Sequence, residues 1–298
     1  MEKTRDIFKH TLQSTLSSIW AWKNIISILT GGRVTEAGIV KDASGNYFIY
    51  KKARPWQAER MKKDVRLINF LWSKNIPGVP RILQEWNLPD GTPILLQTYT
   101  PWKLLSSIED TSQIVFSWMI DGLINMHQIT SKNKTWGYPE EDDLQSWSAK
   151  SMKEYILSFM GYIDKSDYLN DHQKSKLRKG ILQYLDRTSD PNKSPSLIHG
   201  DIHDYNIVVD EKNTAHLIDF WEARYTLPEE EFGRAMINET SRHLVHLWIK
   251  MYTEKTWTQL DKNLMILFML CAGAKHLRKD KHNERQKNLW DWISKYLE

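Results

Sequence analysis

The sequence predicts an α+β protein of two lobes, a small antiparallel sheet followed by a larger, mainly helical part. Between residues 34 and 99, apolar residues alternate in short runs that turn residues separate, and one stretch of helical periodicity interrupts them. Beyond residue 99 the periodicity is mainly helical. The 298 residues, 41% of them hydrophobic, suffice for one large domain or two lobes with separate cores.

The first predicted elements lead into the small lobe. Residues 7–27 carry apolar side chains at helical spacing, and Thr30-Gly31-Gly32 ends that pattern. Residues 34–40 and 47–52 then alternate as two strands across a polar turn, which predicts a hairpin. Residues 58–73 have the periodicity of a helix and end just before a Pro-Gly segment.

Two further strands complete the predicted sheet, at 81–86 and 93–99. The lobe boundary is therefore expected between residues 98 and 99, which gives an N-terminal lobe of 1–98 and a helical lobe of 99–298. Helices are expected at 235–251 and within 257–298. The longest apolar run, 264–274, is shorter than the ~20 residues that cross a bilayer, so it is interpreted as a buried core helix.

Composition restricts the partners and the compartment. The net charge of +4 is small, and basic residues are scattered among acidic ones, which argues against nucleic acid as a partner. The N-terminus mixes charges without a long apolar run, so neither a signal peptide nor a membrane partner is expected. Cys271 is the single cysteine, which favours a reducing, cytoplasmic setting. The oligomeric state is not predicted.

A set of polar residues between positions 201 and 219 has the composition that phosphoryl transfer requires. That reaction needs a carboxylate facing the acceptor hydroxyl and oxygen ligands for Mg²⁺. Asp201 and Asn206 are five positions apart, and Asp219 follows on the next predicted strand. His199 and His203 lack a third zinc ligand at matching spacing. The alternative is a plain hairpin in which His199 is buried and Asp201 caps a turn.

Residues 199–206 resemble the His-Gly-Asp-x-His-x-x-Asn signature of the aminoglycoside phosphotransferase and choline kinase superfamily, and Ile218-Asp219-Phe220 resembles its metal-binding segment. The resemblance implies a bilobal protein-kinase-like fold, ATP or GTP as the phosphate donor, Mg²⁺ as cofactor and a small molecule as acceptor. It also implies that Asp201 is the catalytic residue and that Asn206 and Asp219 bind the metal.

The same resemblance implies a nucleotide-binding lysine on the strand at 47–52. Lys51 is the first candidate and Lys52 the second, because neighbouring side chains on a strand point to opposite faces. The family usually has a Glu on the following helix to orient this lysine, whereas this chain has Asp64 there, with Glu59 as the alternative.

The resemblance places the hinge at residues 97–101, where the backbone of Gln97 and Tyr99 is expected to bind the nucleotide base. After the metal-binding segment, Trp221 is expected to narrow the site and Glu222 to offer a second carboxylate to the metal. No catalytic role is expected for Glu230-Glu231-Phe232-Gly233, where relatives carry Asp-Leu-Ala.

The expected function is ATP-dependent phosphorylation of a hydroxyl on an amine-bearing or polyhydroxylated compound, with an antibiotic as the first candidate, as in antibiotic resistance. The preference for an amine depends on the acidic cluster at 140–143. Alternatives are the kinase of a small metabolite of the choline, methylthioribose or homoserine type, and a kinase-like protein that binds nucleotide without transferring phosphate.

Overall fold

The chain divides into two compact units, Met1–Trp102 and Lys103–Glu298, so the division falls a few residues beyond the sequence boundary at 98/99. The computed structural model describes the following residues: 24–29, 35–42, 44–54, 57–99, 102–137, 148–188, 193–277 and 284–297.

The first unit contains a five-stranded antiparallel sheet in the order β1-β2-β3-β5-β4. Its strands are β1 (Asn24–Leu29), β2 (Thr35–Lys41), β3 (Tyr47–Ala53), β4 (Ile82–Asn87) and β5 (Pro93–Thr98). The four strands from β2 onward lie where alternation predicted them, within one residue at each end.

Strand β1 corrects the sequence analysis, which had placed a helix over residues 7–27. Residues 24–27 belong to the strand instead, and the remainder of that helix lies outside the described residues. The run Asn-Ile-Ile-Ser-Ile-Leu is rich in β-branched isoleucine, which favours a strand, and pairing with β2 satisfies its backbone. Lys51 therefore lies on the third strand of the sheet.

Helix α1 spans Ala58–Ser73, as its periodicity predicted. One face is buried, and it carries Met61, Val65, Ile68 and Leu71 at intervals of three and four residues. Asp64 is buried on the same helix, although carboxylates are rarely buried without a partner. The burial of Asp64 therefore calls for a cation nearby.

The second unit is mainly helical. Among the described residues its helices are α2 (Ser117–His127), α3 (Met152–Ser158), α4 (Met160–Asp164), α5 (Asp171–Arg187), α6 (Pro228–Ala235), α7 (Arg242–Thr256), α8 (Lys262–Leu277) and α9 (Glu284–Ile293). Strand β6 (Trp102–Leu104) begins at the last residue of the first unit. The short strands of the second unit that follow it are β7 (Trp136–Gly137), β8 (Ser148–Ala149), β9 (Ser196–Ile198), β10 (Ile207–Asp210), β11 (Ala215–Leu217) and β12 (Arg224–Thr226).

The helix expected over 235–251 is two helices, because α6 ends at Ala235 and α7 begins at Arg242. Helix α8 contains the apolar run 264–274 and forms the centre of the core of this unit, where it packs against α5, α6 and α9. In the part of the chain that the structure describes, no helix is long and apolar enough to cross a membrane.

The crossing of α6 and α8 depends on Gly233. A Cβ atom at this position would lie 2.4 Å from the Met265 carbonyl oxygen and 3.1 Å from the Met269 nitrogen. Because both are backbone atoms of a packed helix, we expect Gly233→Ala to lower the free energy of unfolding by about 1–3 kcal/mol or more, measured by urea titration.

Gly161→Ala in α4 is the matched control for this prediction, since a Cβ there would meet nothing within 4 Å. We expect that variant to unfold at the same urea concentration as the wild type or a slightly higher one. Equal midpoints for the two variants would contradict the close approach of α6 and α8.

Candidate active site

Asp201 lies on the loop between β9 and β10, which turns sharply at Gly200. Gly200 has a φ of +79°, and a Cβ atom there would lie 2.6 Å from the Glu222 carbonyl oxygen. Both facts require glycine, because other residues disfavour this backbone region and the neighbouring chain leaves no space. The turn brings Asp201 directly after the buried end of β9.

Asn206 holds the carboxylate of Asp201 from the same loop. The Asn206 side-chain nitrogen donates to the Asp201 carbonyl oxygen at 3.0 Å and to the carboxylate Oδ2 at 3.1 Å. Since the nitrogen of the amide is engaged in this way, the amide oxygen is the atom that can ligate a cation. The spacing of five residues thus produces a direct contact between the two side chains.

Asp219 lies at the same end of the β10–β11 hairpin as Asn206. The two strands are antiparallel, with Ile207 opposite Leu217, and the Ile218 N–H donates to the Asn206 carbonyl at 3.0 Å. Asp219 adopts a left-handed backbone, with φ of 68° and ψ of 67°. Such a conformation is uncommon outside glycine and is concentrated at functional sites.

The donor set of Asn206 and Asp219 fits Mg²⁺. An amide oxygen and a carboxylate are hard oxygen ligands, and Mg²⁺ commonly takes only one or two such protein ligands beside nucleotide phosphates and water. Among the described residues there is no group of three or more His, Cys, Asp or Glu that could hold a metal ion by itself. The two residues are therefore suited to a metal that arrives with a nucleotide.

His199 supports the loop from behind. The Asp201 N–H donates to His199 Nδ1 at 3.3 Å, and His199 Nε2 lies 3.1 Å from the Ile218 carbonyl oxygen. The ring is fully buried and packs against Phe220 with 4.8 Å between ring centroids. His199 thus connects the Asp201 loop to the Asp219 segment.

Glu231 is the site residue that the sequence analysis missed. Its carboxylate accepts the backbone N–H groups of His199 at 2.6 Å and Gly200 at 2.9 Å, and it is fully buried on α6. Burial alone raises the pKa of Glu231, but the contact with His127 and the charges of His199 and His127 outweigh it and lower the pKa. His127 in turn contacts the Tyr252 hydroxyl at 2.8 Å.

Asp201 is ionised at neutral pH. Burial raises the pKa of its carboxyl, but the contact with His203 and the charge of Arg234 outweigh this effect, so the pKa lies well below its usual range. His203 Nε2 lies 3.6 Å from Asp201 Oδ2. An ionised carboxylate accepts a hydrogen bond from an acceptor hydroxyl and orients it, whereas its low basicity makes early proton removal unfavourable.

Glu222 contacts cationic side chains of the protein, which disfavours the expected role as a second carboxylate for the metal. Its Oε2 accepts from Arg224 Nη1 at 2.9 Å, and both of its carboxylate oxygens lie 3.3 Å from Lys275 Nζ. Burial raises the pKa of Glu222, but the charges of Arg234, Arg224 and Lys275 outweigh it and lower the pKa to about 2. The carboxylate is thus held inside a cation cluster.

This pKa predicts an acid-sensitive share of the stability. The ordinary pKa of a glutamate is 4.5, and in the folded protein the pKa of Glu222 is about 2. The stabilisation of the fold by the ionised Glu222 carboxylate is therefore complete above pH 4.5 and is lost as the pH falls toward 2. We expect Glu222→Gln to lower the free energy of unfolding by about 3 kcal/mol at pH 6 and by clearly less at pH 3. Exposed Glu254→Gln is the control. An equal cost of Glu222→Gln at the two pH values would contradict the assignment.

In the first unit, Lys51 lies against Asp64. Lys51 Nζ is 3.8 Å from Asp64 Oδ2, whereas Lys52 Nζ is 3.8 Å from Glu36 on β2. Glu59, the alternative partner, pairs instead with Lys62 at 2.7 Å. Lys51 and Asp64 are thus the pair that the structure brings together, and their role in nucleotide binding stays a prediction.

The two hinge candidates lie at the end of β5. Gln97 is buried within the strand, opposite Ile49 of β3. Tyr99 follows the strand, packs against the rings of Tyr47 and Trp102, and lines a cleft. Their contact with a nucleotide base stays a prediction, and so does the acceptor role of the acidic cluster at 140–143, which lies outside the described residues.

Among families of known proteins, the model described as "Phosphotransferase enzyme family" matches residues 27–261 of the chain. A comparison with curated protein sequences gave no significant match.

Among solved structures, the aminoglycoside phosphotransferase APH(4)-Ia, as a thermostable mutant with AMP-PNP and hygromycin B, has a TM-score of 0.72 at 12% identity, with 96% of this chain and 97% of that chain covered. An aminoglycoside 2'-phosphotransferase-IIIa mutant in complex with GDP has a TM-score of 0.68 at 12% identity, with 97% of each chain covered. A putative fructosamine-3-kinase from Haemophilus somnus 129PT has a TM-score of 0.66 at 14% identity, with 94% of this chain and 92% of that chain covered. These likenesses confirm the protein-kinase-like fold, and with the family match they confirm the resemblance seen at residues 199–220.

Proposed function

The chain belongs to the phosphotransferase enzyme family, and from this premise we propose that it transfers the terminal phosphate of ATP or GTP to a hydroxyl of a polyhydroxylated small molecule. The observation that carries this proposal is the loop of Asp201, whose carboxylate is ionised and held by the Asn206 amide at 3.1 Å. Phosphoryl transfer depends mainly on the orientation of the reactants and on charge neutralisation, so it requires a positioned carboxylate and oxygen ligands for the metal.

Each predicted site residue has a role in this proposal. Asp201 accepts a hydrogen bond from the acceptor hydroxyl and directs it toward the donor phosphate. Asn206 and Asp219 would hold Mg²⁺, which supplies charge neutralisation on the phosphates when it is bound. Lys51, oriented by Asp64, is proposed to bind the nucleotide phosphates.

The backbone of Gln97 and Tyr99 is proposed to bind the base. Because the backbone makes these contacts, the identities of the two residues do not show whether the base is adenine or guanine. The similar structures contain AMP-PNP in one case and GDP in another, so both donors belong in the assay.

For the acceptor, an antibiotic is the first candidate, because similar structures contain hygromycin B and kanamycin. A hydroxylated metabolite is the second candidate, and two observations favour it: the likeness to a putative fructosamine-3-kinase, and the cations beside Asp201. The single, buried Cys271 supports the proposal of a reducing, cytoplasmic compartment.

The metal role of Asp219 is testable without knowledge of the acceptor. We expect the wild type to hydrolyse ATP or GTP slowly in the presence of Mg²⁺, and Asp219→Ala to lose this hydrolysis because one of the two protein ligands of the metal is gone. The release of phosphate is the measurement, with and without a chelator.

Asp186→Ala, at an exposed position on α5, is the control for a general loss of fold and should hydrolyse nucleotide like the wild type. Hydrolysis that survives both chelation and the Asp219→Ala substitution would show that Asp219 does not hold a required metal.

A further inference from the structure

Arg234, in the last turn of α6, is buried and makes no hydrogen bond to the residues that the structure describes. Its side chain is 7% exposed, and its Nε is buried without a hydrogen-bond partner among those residues. The carboxylate oxygens near its terminal nitrogens are Glu222 Oε2 at 3.9 Å and Glu230 Oε1 at 4.0 Å, both beyond hydrogen-bond reach. A guanidinium offers five donors, and burying them without close acceptors is costly, so Arg234 has donor capacity that a further acceptor group would use.

The two carboxylates near Arg234, those of Glu222 and Glu230, are engaged with other donors. Glu230 Oε1 lies 2.8 Å from Arg224 Nη2, 3.0 Å from Arg224 Nε and 3.0 Å from the Tyr155 hydroxyl. Glu222 is engaged by Arg224 and Lys275. The second oxygen of Glu230, Oε2, is buried and has no hydrogen-bond partner among the described residues, so it could accept from a hydroxyl group.

This group of charges adjoins the catalytic loop. Arg224 Nη2 lies 3.3 Å from the carbonyl oxygen of Gly200, the residue before Asp201, and the charge of Arg234 acts on the Asp201 carboxylate. The groups that face Arg234 are Tyr155, Asp201, Glu222, Arg224, Glu230 and Lys275.

Lys275 makes the cluster reachable from solvent. Its side chain is 32% exposed, whereas those of Arg224 and Arg234 are 4% and 7% exposed. Burial lowers the pKa of Lys275, and so does the charge of Arg234; although Glu222 opposes them, the pKa falls to about 8. A further negative charge at this position would therefore reduce the electrostatic repulsion among Lys275, Arg224 and Arg234.

We propose that Arg234 and Lys275 bind an anionic group of the acceptor, a carboxylate or a phosphate, so that the acceptor is an anionic hydroxylated small molecule such as a sugar acid or a sugar phosphate. This inference rests on the proposed phosphoryl transfer and narrows its acceptor. The anion would hold the acceptor while its hydroxyl contacts Asp201. A polycationic acceptor would be repelled at the same place.

The test compares acceptors that differ in one group. Glucose, glucuronate and glucosamine form one set, and ribose and ribose 5-phosphate form a second. Acceptor kcat and KM are measured with Mg²⁺-nucleotide for the wild type, Arg234→Gln, Arg234→Lys and Lys275→Gln. The matched control is Lys250→Gln on α7, whose side chain is exposed and pairs only with Glu254 in the described structure.

For the wild type we expect a kcat/KM at least about tenfold higher for an anionic acceptor than for its neutral counterpart. In Arg234→Gln and Lys275→Gln this preference should be lost, mainly because the KM of the anionic acceptor rises. Arg234→Lys should keep part of the preference for the anionic acceptor, because lysine keeps the positive charge but lacks the planar guanidinium group. No anion preference in the wild type would overturn the proposal. An equal fall of kcat for neutral and anionic acceptors would also overturn it, because the cations would then serve the transferred phosphoryl group.

Calorimetric titration of glucuronate and ribose 5-phosphate, without nucleotide, separates this inference from the proposed function. Anion binding that Arg234→Gln abolishes, without any phosphoryl transfer, would support the subsite while the proposed function fails. Transfer to neutral acceptors without anion binding would overturn the subsite alone. Thermal unfolding of each variant shows whether it is folded, and Lys275→Gln provides the test if Arg234→Gln does not fold.

Discussion

Replacement of Asp201 by Asn is expected to lower phosphoryl transfer by about 100-fold to 10,000-fold while nucleotide binding stays nearly unchanged. The amide has the shape of the carboxylate but lacks its charge and accepts only through one oxygen. Asn206 could still donate to it, so the loop should keep its conformation. The measurements are turnover with a hydroxylated acceptor and nucleotide affinity by calorimetry.

Asp204→Asn is the matched control for this prediction. Asp204 lies on the same loop and is buried, but its carboxylate accepts from the Thr240 hydroxyl at 2.6 Å. We expect Asp204→Asn to lose some stability and to keep most of its turnover. Substantial turnover in Asp201→Asn, comparable to that of Asp204→Asn, would remove the catalytic role from Asp201.

The second large effect is expected from Glu231→Gln. The carboxylate of Glu231 accepts two backbone N–H groups, those of His199 and Gly200, inside the protein. An amide has only one oxygen, so its NH₂ group would face one of these donors, and a buried N–H would lose its acceptor. We expect the free energy of unfolding to fall by about 3–5 kcal/mol and kcat to fall by about 10-fold or more, with little change in nucleotide KM.

Glu229→Gln separates the loss of stability from the loss of catalysis. Glu229 is also buried on α6, but it contacts Lys193 at 3.2 Å and the Asp261 N–H at 3.3 Å, away from the catalytic loop. Its replacement should lower stability and leave kcat nearly unchanged in the folded protein. If the two variants lower kcat equally, Glu231 has no specific role in holding the loop.

The sequence predicted the elements whose signals are local. Helix α1 and the strands β2 to β5 follow from periodicities within single segments, because each of these elements buries one face. The spacing of Asp201 and Asn206 was also visible in the sequence, since they are five positions apart, whereas their hydrogen bond was seen only in the structure. Strand β1 was misread because a short isoleucine-rich run fits a helix and a strand alike until its partner strand is known.

Glu231 could not be found in the same way. Its bonds to His199 and Gly200 span more than thirty residues, and the sequence analysis assigned no catalytic role to Glu230-Glu231-Phe232-Gly233. The structure buries all three glutamates at 229–231, and each contacts a polar or cationic group. The sequence also left open whether Asp64 or Glu59 is the partner of Lys51. The structure identifies Asp64, because it lies next to Lys51, whereas Glu59 pairs with Lys62.

The most direct measurement of the central claim is phosphoryl transfer itself. Wild type and Asp201→Asn are incubated with Mg²⁺ and γ-labelled ATP or GTP together with neutral, cationic and anionic hydroxylated acceptors, and the label on each acceptor is counted. We expect label on at least one acceptor with the wild type, and almost none with Asp201→Asn. Label that is equal with the two proteins, or nucleotide binding without transfer to any acceptor, would contradict this expectation.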